Sequence, residues 1–373
     1  MTSITQLFCL GIPSSETKIQ LNFKKDKNVV FLTGHNGIGK TKLLKAIHQN
    51  ICLAQENNSF DKANVFQNYL MSMVINGNWE TILQHDISGY NDNYIKKIMS
   101  FNETLNNANK EKVWKTCVEK LNIEYSTIME SKEFDKEVFS KIYSEDKRQL
   151  IMKGSKINSK AVTPNSLFFS YDTVHYSGNK DDSPDSRTLD HHLQLALERF
   201  KNLPSEEGID SDSIKIILEN QFKKSNIKID EKVKNTLLTN LQENLGNRAL
   251  PTQKILDTLN IFFNETSREI IQDKEEVIKC KLANSDEAIS WRDLSKGEKS
   301  LIFLCFSVYF YSKDNVVFLI DEPEISLHIS WQEKLIKHLL ELSPKSQFII
   351  ATHAPSIIFK TEKEQYFNLE NFG

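Results

Sequence analysis

The chain has 373 residues, a formal net charge of −3 and 26% charged residues. This balance gives no overall attraction to nucleic acid or to an acidic membrane, although local basic patches are compatible with it. The longest strongly apolar stretch, residues 301–311, is too short to cross a bilayer, and residues 1–4 do not begin a secretory signal. Five cysteines form no Cys-x-x-Cys pair. We therefore expect a cytoplasmic protein without a membrane partner, a disulfide framework or a zinc ribbon.

A glycine-rich loop lies between a predicted strand and a predicted helix. Residues 29–32 form an apolar run that is typical of a buried strand. Leu43, Leu44, Ile47 and Ile51 recur at helical spacing, which predicts an amphipathic helix. The loop between them fits the pattern G-x-x-x-x-G-K-[ST] at every position, with Gly34, His35, Asn36, Gly37, Ile38, Gly39, Lys40 and Thr41.

This arrangement suits a nucleotide phosphate. A strand, a glycine loop and a helix N-terminus direct backbone N–H groups and the positive end of a helix dipole at one point. The glycines allow the backbone to approach a phosphate closely. We expect Lys40 to reach the β- and γ-phosphates of ATP and the Thr41 hydroxyl to ligate Mg²⁺. A chance glycine turn is the alternative, and the flanking strand and helix argue against it.

Two further predicted strands end in chemically useful residues. Residues 316–320 are apolar and lead into Asp321 and Glu322, at the end of a strand where open α/β sheets place catalytic groups. Asp321 is predicted to hold Mg²⁺, directly or through water, and Glu322 to deprotonate the attacking water. A third run, residues 347–352, leads into His353, a predicted sensor of the γ-phosphate. A single strand often ends in a polar loop that has no catalytic role. The order of these motifs along the chain favours a catalytic site instead.

Ser295 precedes another apolar run, and Glu298 follows three residues later. This spacing is typical of a capping box, in which the serine caps a helix and the glutamate reaches back to the serine N–H group. A helix N-terminus is also a site for an anion. A structural cap and a contact with a phosphate are therefore compatible interpretations of Ser295.

Together these motifs resemble the Walker A, signature, Walker B and H-loop motifs of ABC-type ATPase heads, a group that includes transporter subunits, SMC proteins, RecF and OLD-like ATPases. The resemblance implies an α/β P-loop fold, in which a mixed sheet is flanked by helices. It also implies a head-to-tail homodimer with two ATP molecules between the subunits. In that dimer Ser295, Gly297 and Glu298 of one chain would bind the ATP that Lys40 of the other chain holds.

The chain departs from the transporter pattern in three ways. Lys296 replaces the usual first glycine of the signature, and His328 stands where an aspartate is usual. The run from Glu322 to His328 is similar to that of OLD-like ATPases. In addition, Lys40 and Ser295 are 255 residues apart, which implies a large insertion. Gln67 and Gln84 are candidates for the Q-loop on spacing alone.

The predicted ATPase head is split along the chain. It comprises residues 1–54 and 276–373, and a strand at 166–171 is expected to join it. Residues 55–275 are predicted to be a mainly helical insertion or lid, with helices at 189–200, 214–222 and 233–245. The segment shows no sustained heptads and is too short for the long arms of SMC proteins.

These expectations lead to an ATPase that serves as a dimeric sensor and scaffold in a bacterial anti-phage defence system. OLD proteins add a nuclease after the head, whereas 20 residues follow His353 here. We therefore expect any toxic activity to belong to a separate effector chain. Higher oligomers and a nucleic-acid ligand stay open. The alternatives are a RecF- or SMC-like DNA clamp, a transporter energy subunit, and a binding module without hydrolysis, against which the intact catalytic residues argue.

Overall fold

The computed structural model describes residues 4–12, 17–55, 69–76, 78–86, 136–144, 149–157, 164–170, 173–176, 188–202, 251–282, 285, 287–312, 316–358 and 364–372. The chain divides by its internal contacts into two units. The first comprises residues 1–186 and 311–373, and the second comprises residues 187–310. None of the helices in the described ranges is long and apolar enough to span a membrane.

Both units contain strands and helices. The first unit begins with β1 (Ile4–Leu10), β2 (Lys18–Asn22), β3 (Val29–Thr33), α1 (Lys40–Ala54), β4 (Tyr69–Ile75), β5 (Asn78–Asp86), β6 (Lys136–Ser144), β7 (Gln149–Ile157), β8 (Asn165–Ser170) and β9 (Thr173–Tyr176). The second unit contains α2 (Leu189–Lys201), α3 (Pro251–Phe263), β10 (Arg268–Asp273), β11 (Val277–Leu282), β12 (Ala288–Ser290) and α4 (Lys296–Tyr311), of which Tyr311 belongs to the first unit. The first unit ends with β13 (Val316–Asp321), α5 (Ile329–Leu342), β14 (Gln347–Ala351) and β15 (Glu364–Asn368).

A mixed six-stranded sheet forms the centre of the first unit, with the strand order β15-β3-β14-β13-β8-β9. All neighbouring strands are parallel except β8 and β9. Every residue of β13 and β14 is buried, which explains why these strands are continuous apolar runs without alternation. Asp321 is paired with Ala351, and Ala351 with Leu32. The carboxyl ends of β3, β14 and β13 therefore meet at one edge of the sheet.

An antiparallel six-stranded sheet, β2-β1-β4-β5-β7-β6, shares a hydrophobic core with the mixed sheet. Helix α1 contributes Leu43, Leu44, Ile47 and Ile51 to that core, all fully buried. Each such side chain stabilises the fold by about 1.5–3 kcal/mol relative to an exposed position. This packing fixes the helix whose N-terminus follows the glycine loop.

The second unit builds its core around α4. Residues 297–308 are all buried, so this helix is buried on every side rather than on one face. Phe200 of α2 stacks on Phe306 at 5.1 Å between ring centroids, and Lys299 forms an ion pair with Asp190 at 2.9 Å. The strands β10, β11 and β12 form a separate antiparallel sheet. Thr188 caps α2 by accepting a hydrogen bond from the His191 N–H group.

The segment 55–275 contains both strands and helices where the structure describes it, namely β4–β10, α2 and α3. The strand expected at 166–171 is β8, which lies beside β13. The predicted helices at 214–222 and 233–245 lie outside the described residues, as does Gln67. The second unit comprises residues 187–310, so it includes residues on both sides of the boundary predicted at 276. The head boundaries drawn at 54 and 276 stay a prediction.

Candidate active site

The glycine loop connects β3 to α1 and adopts a conformation that favours glycine. Gly34, Gly37 and Gly39 have φ angles of 130°, 84° and 94°. A Cβ atom on Gly34 would also lie 3.2 Å from Cγ2 of Ile38 and 3.3 Å from Oδ1 of Asn368. The backbone at Gly34 is therefore closely packed against Ile38 and Asn368. The positive φ angles at all three positions favour residues without a side chain.

Lys40 is the first residue of α1 and is buried. Its Nζ atom donates hydrogen bonds to the carbonyl oxygens of Gly34 at 2.8 Å and His35 at 3.3 Å. The same Nζ atom lies 2.5 Å from Nε2 of His353. Burial lowers the pKa of Lys40, and the nearby carboxylate of Glu322 acts in the opposite direction. The loop thus carries a buried cation that an anionic ligand would stabilise.

Asp321 ends β13 and accepts hydrogen bonds on both carboxylate oxygens. The Thr41 hydroxyl donates to Oδ1 at 3.0 Å, and the Ser170 hydroxyl donates to Oδ2 at 3.3 Å. Burial raises the pKa of Asp321. A hydroxyl and a carboxylate side by side are the oxygen ligands that Mg²⁺ takes beside phosphates and water. Thr41 and Asp321 therefore fit the metal that the sequence predicts.

Sequence reasoning did not identify Ser170. The predicted strand at 166–171 was a usable signal, because Ser170 stands at its carboxyl end. Its pairing with Asp321 depends on β8 lying next to β13. That adjacency is a long-range feature of the sheet, which the local pattern does not contain.

Glu322 has a left-handed backbone with φ of 47°, and its N–H group donates to the carbonyl of Ala351 at 2.8 Å. A non-glycine residue in this region costs on the order of 1–3 kcal/mol, and such residues cluster at functional sites. Oε1 of Glu322 lies 3.4 Å from Nε2 of His353. The turn after β13 thus directs the carboxylate towards the end of β14.

Glu324 bonds to the segment that contains His353. Its Oε1 atom accepts hydrogen bonds from the Thr352 hydroxyl at 2.6 Å, the His353 N–H group at 2.8 Å and the Ala354 N–H group at 3.1 Å. The sequence marked Glu324 only as part of a run similar to OLD-like ATPases. Its role as an acceptor for the neighbouring loop was missed.

Glu370 supports the glycine loop from the end of β15. Its Oε1 atom accepts hydrogen bonds from the His35 N–H group at 2.7 Å and pairs with Nδ1 of His35 at 2.9 Å. These contacts with His35 hold the pKa of Glu370 below its usual value. The side chain of His35 is 68% exposed, so the predicted loop residue points largely to solvent. No motif signalled Glu370, since it lies 335 residues further along the chain.

A cavity of about 520 Å³ lies over these groups. This volume is within the usual range for small-molecule sites. The cavity is lined by Asn36, Gly37, Gly39, Lys40, Thr41, Lys42, Glu322, Glu324 and His353. Seven of the fourteen residues predicted for the site therefore face one space, namely Asn36, Gly37, Gly39, Lys40, Thr41, Glu322 and His353.

The signature residues lie in the second unit and form a complete capping box. The Ser295 N–H group donates to Oε2 of Glu298 at 2.7 Å, and the Glu298 N–H group donates to the Ser295 hydroxyl oxygen at 3.3 Å. Oε1 of Glu298 is paired with Arg268. Both carboxylate oxygens of Glu298 are therefore engaged within this unit. This arrangement favours a supporting role for Glu298, with Ser295 and Gly297 at the helix N-terminus.

The residues around the cavity are of the types that a P-loop ATPase uses to bind and hydrolyse ATP. Backbone N–H groups of the glycine loop and Lys40 would bind phosphates, and Thr41 and Asp321 would hold Mg²⁺. Bound Mg²⁺ would neutralise charge on the β- and γ-phosphates. Glu322 would accept a proton from the water molecule that attacks the γ-phosphate, and His353 lies beside Glu322.

Comparison with known proteins agrees with the assignment of the chain as an ATPase. Residues 15–358 match the family model described as the AAA ATPase domain, and the chain belongs to that family. The predicted α/β ATPase-head fold and the predicted ATP hydrolysis are confirmed. The resemblance to an ATPase head is confirmed as well.

Three curated relatives are informative. The chain is 23% identical to "Retron Ec83 probable ATPase" of Escherichia coli over 94% of its own length and 68% of that protein. It is 29% identical to "Retron Vc95 probable ATPase" of Vibrio cholerae serotype O1 biovar El Tor, over 30% and 24% of the two chains. It is 31% identical to "Endonuclease GajA" of Bacillus cereus (strain VD045), over 21% and 14%.

Solved structures of SMC heads also align with most of the chain. The SMC head bound to the C-terminal winged-helix domain of ScpA is 16% identical, with a TM-score of 0.36, over 95% of this chain and 90% of that one. The Pyrococcus yayanosii SMC head with a coiled coil and joint is 12% identical, with a TM-score of 0.39, over 96% and 93%.

Proposed function

We propose that this chain is the ATPase subunit of a bacterial anti-phage defence system, in which ATP controls a homodimer and the homodimer controls a separate effector protein. The observation that supports a defence role most strongly is the match to a retron ATPase over 94% of this chain. A second retron ATPase matches over a shorter region. Both relatives are named as ATPases, in agreement with the site described above.

The proposed dimer has a physical rationale in the position of Ser295. This residue lies directly before the N-terminus of a buried 16-residue helix, where the positive end of the helix dipole favours an anion. The phosphate loop is in the first unit and Ser295 is in the second. In the proposed arrangement Ser295 and Gly297 of one chain bind the γ-phosphate of the ATP held by Lys40 of the partner chain.

The proposed effector is a separate chain. The match to the endonuclease GajA covers only 14% of that protein. A shared ATPase region would account for such a match without a shared nuclease. In our proposal the ATP-bound dimer and the ATP-free monomer hold the effector differently, since a ligand shifts a two-state equilibrium only through its differential affinity for the two states.

The experiment is a purification of tagged Glu322→Gln protein from its own host in the presence of ATP and Mg²⁺, followed by native mass measurement. We expect a complex that contains a second protein together with two or more copies of this chain. Lys40→Ala protein, purified in parallel, should lose the ATP-dependent assembly. A homodimer that carries only nucleic acid would favour a DNA clamp instead. ATP-dependent cleavage of DNA or RNA by the purified chain alone would refute the separate effector.

A further inference from the structure

Two loops that border the cavity are joined by side chains rather than by sheet pairing. The first is the turn after β13, residues 322–328, in which the Ile325 N–H group donates to the carbonyl of Glu322 at 3.1 Å. The second is the segment after β14, residues 352–358. Glu324 belongs to the first loop, and its carboxylate binds the second.

The carboxylate of Glu324 concentrates its contacts on one oxygen. Oε1 accepts three hydrogen bonds, from Thr352, His353 and Ala354. Hydrogen bonds to an ionised acceptor are roughly twice as strong as neutral ones. Two of the donors are consecutive backbone N–H groups, so the peptide units on both sides of the His353 Cα atom are fixed.

A second contact joins the same two loops. Gln332 of α5 donates through Nε2 to the carbonyl oxygens of Glu324 at 3.3 Å and Leu327 at 2.9 Å. Its Oε1 atom accepts a hydrogen bond from the Ser356 hydroxyl at 2.5 Å. The backbone of Glu324 is therefore held from α5, while its side chain holds the His353 segment.

The hydrogen bonds to its backbone fix the position of the His353 imidazole. Its Nε2 atom lies 2.5 Å from Nζ of Lys40 and 3.4 Å from Oε1 of Glu322. A side chain that must stay between a cation and a carboxylate needs a fixed backbone. Within the described residues, Glu324 is the side chain that bonds directly to the His353 backbone.

The second carboxylate oxygen of Glu324, Oε2, does not share the hydrogen bonds of Oε1. Oε2 is buried and has no hydrogen-bond partner among the described residues, and Glu324 lines the cavity. The negative charge of Glu324 also favours the ammonium form of Lys40. The contacts of Oε1 and the charge on the group are thus two separable properties of one side chain.

We infer that Glu324 is a positioning residue for ATP hydrolysis, acting through the hydrogen bonds of Oε1 to hold His353 between Lys40 and Glu322. The inference rests on the proposed roles of Glu322 and His353. Glutamine at this position keeps an oxygen acceptor for the three donors and removes the charge. Alanine removes both. The two variants therefore separate positioning from a direct charge effect.

The test is steady-state ATP hydrolysis by Glu324→Ala, Glu324→Gln, His353→Ala and the Glu324→Ala/His353→Ala double variant. We expect Glu324→Ala to lower kcat by roughly 10- to 100-fold while KM changes less than about threefold, because the interaction matters in the transition state. Glu324→Gln should recover most of kcat. The double variant should be no slower than His353→Ala, since residues that act as one unit are not additive. Glu333→Ala, a change of an exposed glutamate on α5, is the matched control.

Three results would overturn the inference while leaving the proposed role of His353 in place. The first is a kcat for Glu324→Gln that is as low as the kcat of Glu324→Ala, at an unchanged melting temperature. That result would assign the effect to the charge of Glu324. Another is a double variant whose losses multiply. The third is a normal kcat for Glu324→Ala while His353→Ala is slow. If His353→Ala itself hydrolyses ATP normally, the proposed role of His353 fails, and the inference fails with it. A Glu324→Ala protein that does not fold leaves the Glu324→Gln rates as the deciding result: activity near wild type supports positioning.

Discussion

Thr41 donates its hydroxyl to Oδ1 of Asp321 across 3.0 Å, although 280 residues separate the two in the chain. The contact brings the N-terminus of α1 to the end of β13. Ser170 reaches the other oxygen of the same carboxylate from β8. The predicted metal site is therefore built by three elements that are distant in sequence and converge at the carboxyl edge of one sheet.

Lys40→Ala should abolish nucleotide binding. The variant removes the buried cation whose Nζ atom donates to the carbonyl oxygens of Gly34 and His35 on the glycine loop. We expect ATP affinity to fall by at least about 100-fold, which corresponds to roughly 2.7 kcal/mol. Isothermal titration with ATP and Mg²⁺ measures this. The exposed Lys337→Ala should bind as the wild type does, and equal affinities for Lys40→Ala and Lys337→Ala would contradict the assignment.

Glu322→Gln should bind ATP normally and hydrolyse it slowly. Glutamine has nearly the same shape but cannot accept the proton of the attacking water. We expect a loss in kcat of roughly 10² or more. Single-turnover hydrolysis at saturating ATP measures the chemical step, and Glu333→Gln controls for the loss of one negative charge. Unchanged hydrolysis would remove Glu322 from the role of general base.

Ser170→Ala should weaken the use of Mg²⁺ without removing a predicted metal ligand. The variant deletes the hydroxyl that donates to Oδ2 of Asp321. Partners of metal ligands typically contribute 10- to 100-fold to metal affinity, and we expect about tenfold for this single part-buried contact. The readouts are the Mg²⁺ concentration for half-maximal hydrolysis and direct titration of Mn²⁺ binding. An identical metal dependence in Ser170→Ala and wild type would contradict the proposed contact.

The buried His48 should make the fold sensitive to acid. Burial lowers its pKa from 6.5 to about 3, and its Nδ1 atom lies 2.8 Å from the Ser166 hydroxyl. Between these pH values the unfolded chain binds a proton that the folded chain does not bind. The free energy of unfolding therefore falls as the pH falls from about 6.5 towards 3, by up to roughly 1.4 kcal/mol per pH unit.

The measurement is urea unfolding of wild type and His48→Gln at several pH values from 7 to 4. We expect the variant to be less stable at pH 7 and to lose less stability on acidification. Replacing the exposed His191 by glutamine should leave the pH dependence of wild type in place. Parallel curves for wild type and His48→Gln would show that His48 does not titrate in this way.

Local patterns were sufficient for the parts of the site that are contiguous in sequence. The glycine loop, the apolar runs of β13 and β14, and the capping box of Ser295 and Glu298 all depend on neighbours within a few residues. The physics of these features is local as well. A left-handed turn favours glycine, a doubly buried strand needs continuous apolar residues, and a helix N-terminus needs a cap.

The supporting contacts were beyond local patterns. Ser170, Glu324 and Glu370 act on groups that are 151, 29 and 335 residues away. Their positions depend on the order of strands and on where loops meet, which side-chain periodicity does not encode. The strands β4 to β7 were also not predicted, although Tyr69–Ile75 is an apolar run, because the surrounding segment is rich in polar residues.

The central claim is that ATP joins two copies of this chain through Lys40 of one and Ser295 of the other. The most direct measurement is the native mass of purified Glu322→Gln protein with and without ATP and Mg²⁺, beside the Glu322→Gln/Ser295→Arg double variant. We predict a dimer only when ATP is present, and a double variant that binds ATP but stays monomeric. A monomer at saturating ATP, or an ATP-dependent dimer that forms normally with Ser295→Arg, would contradict the account.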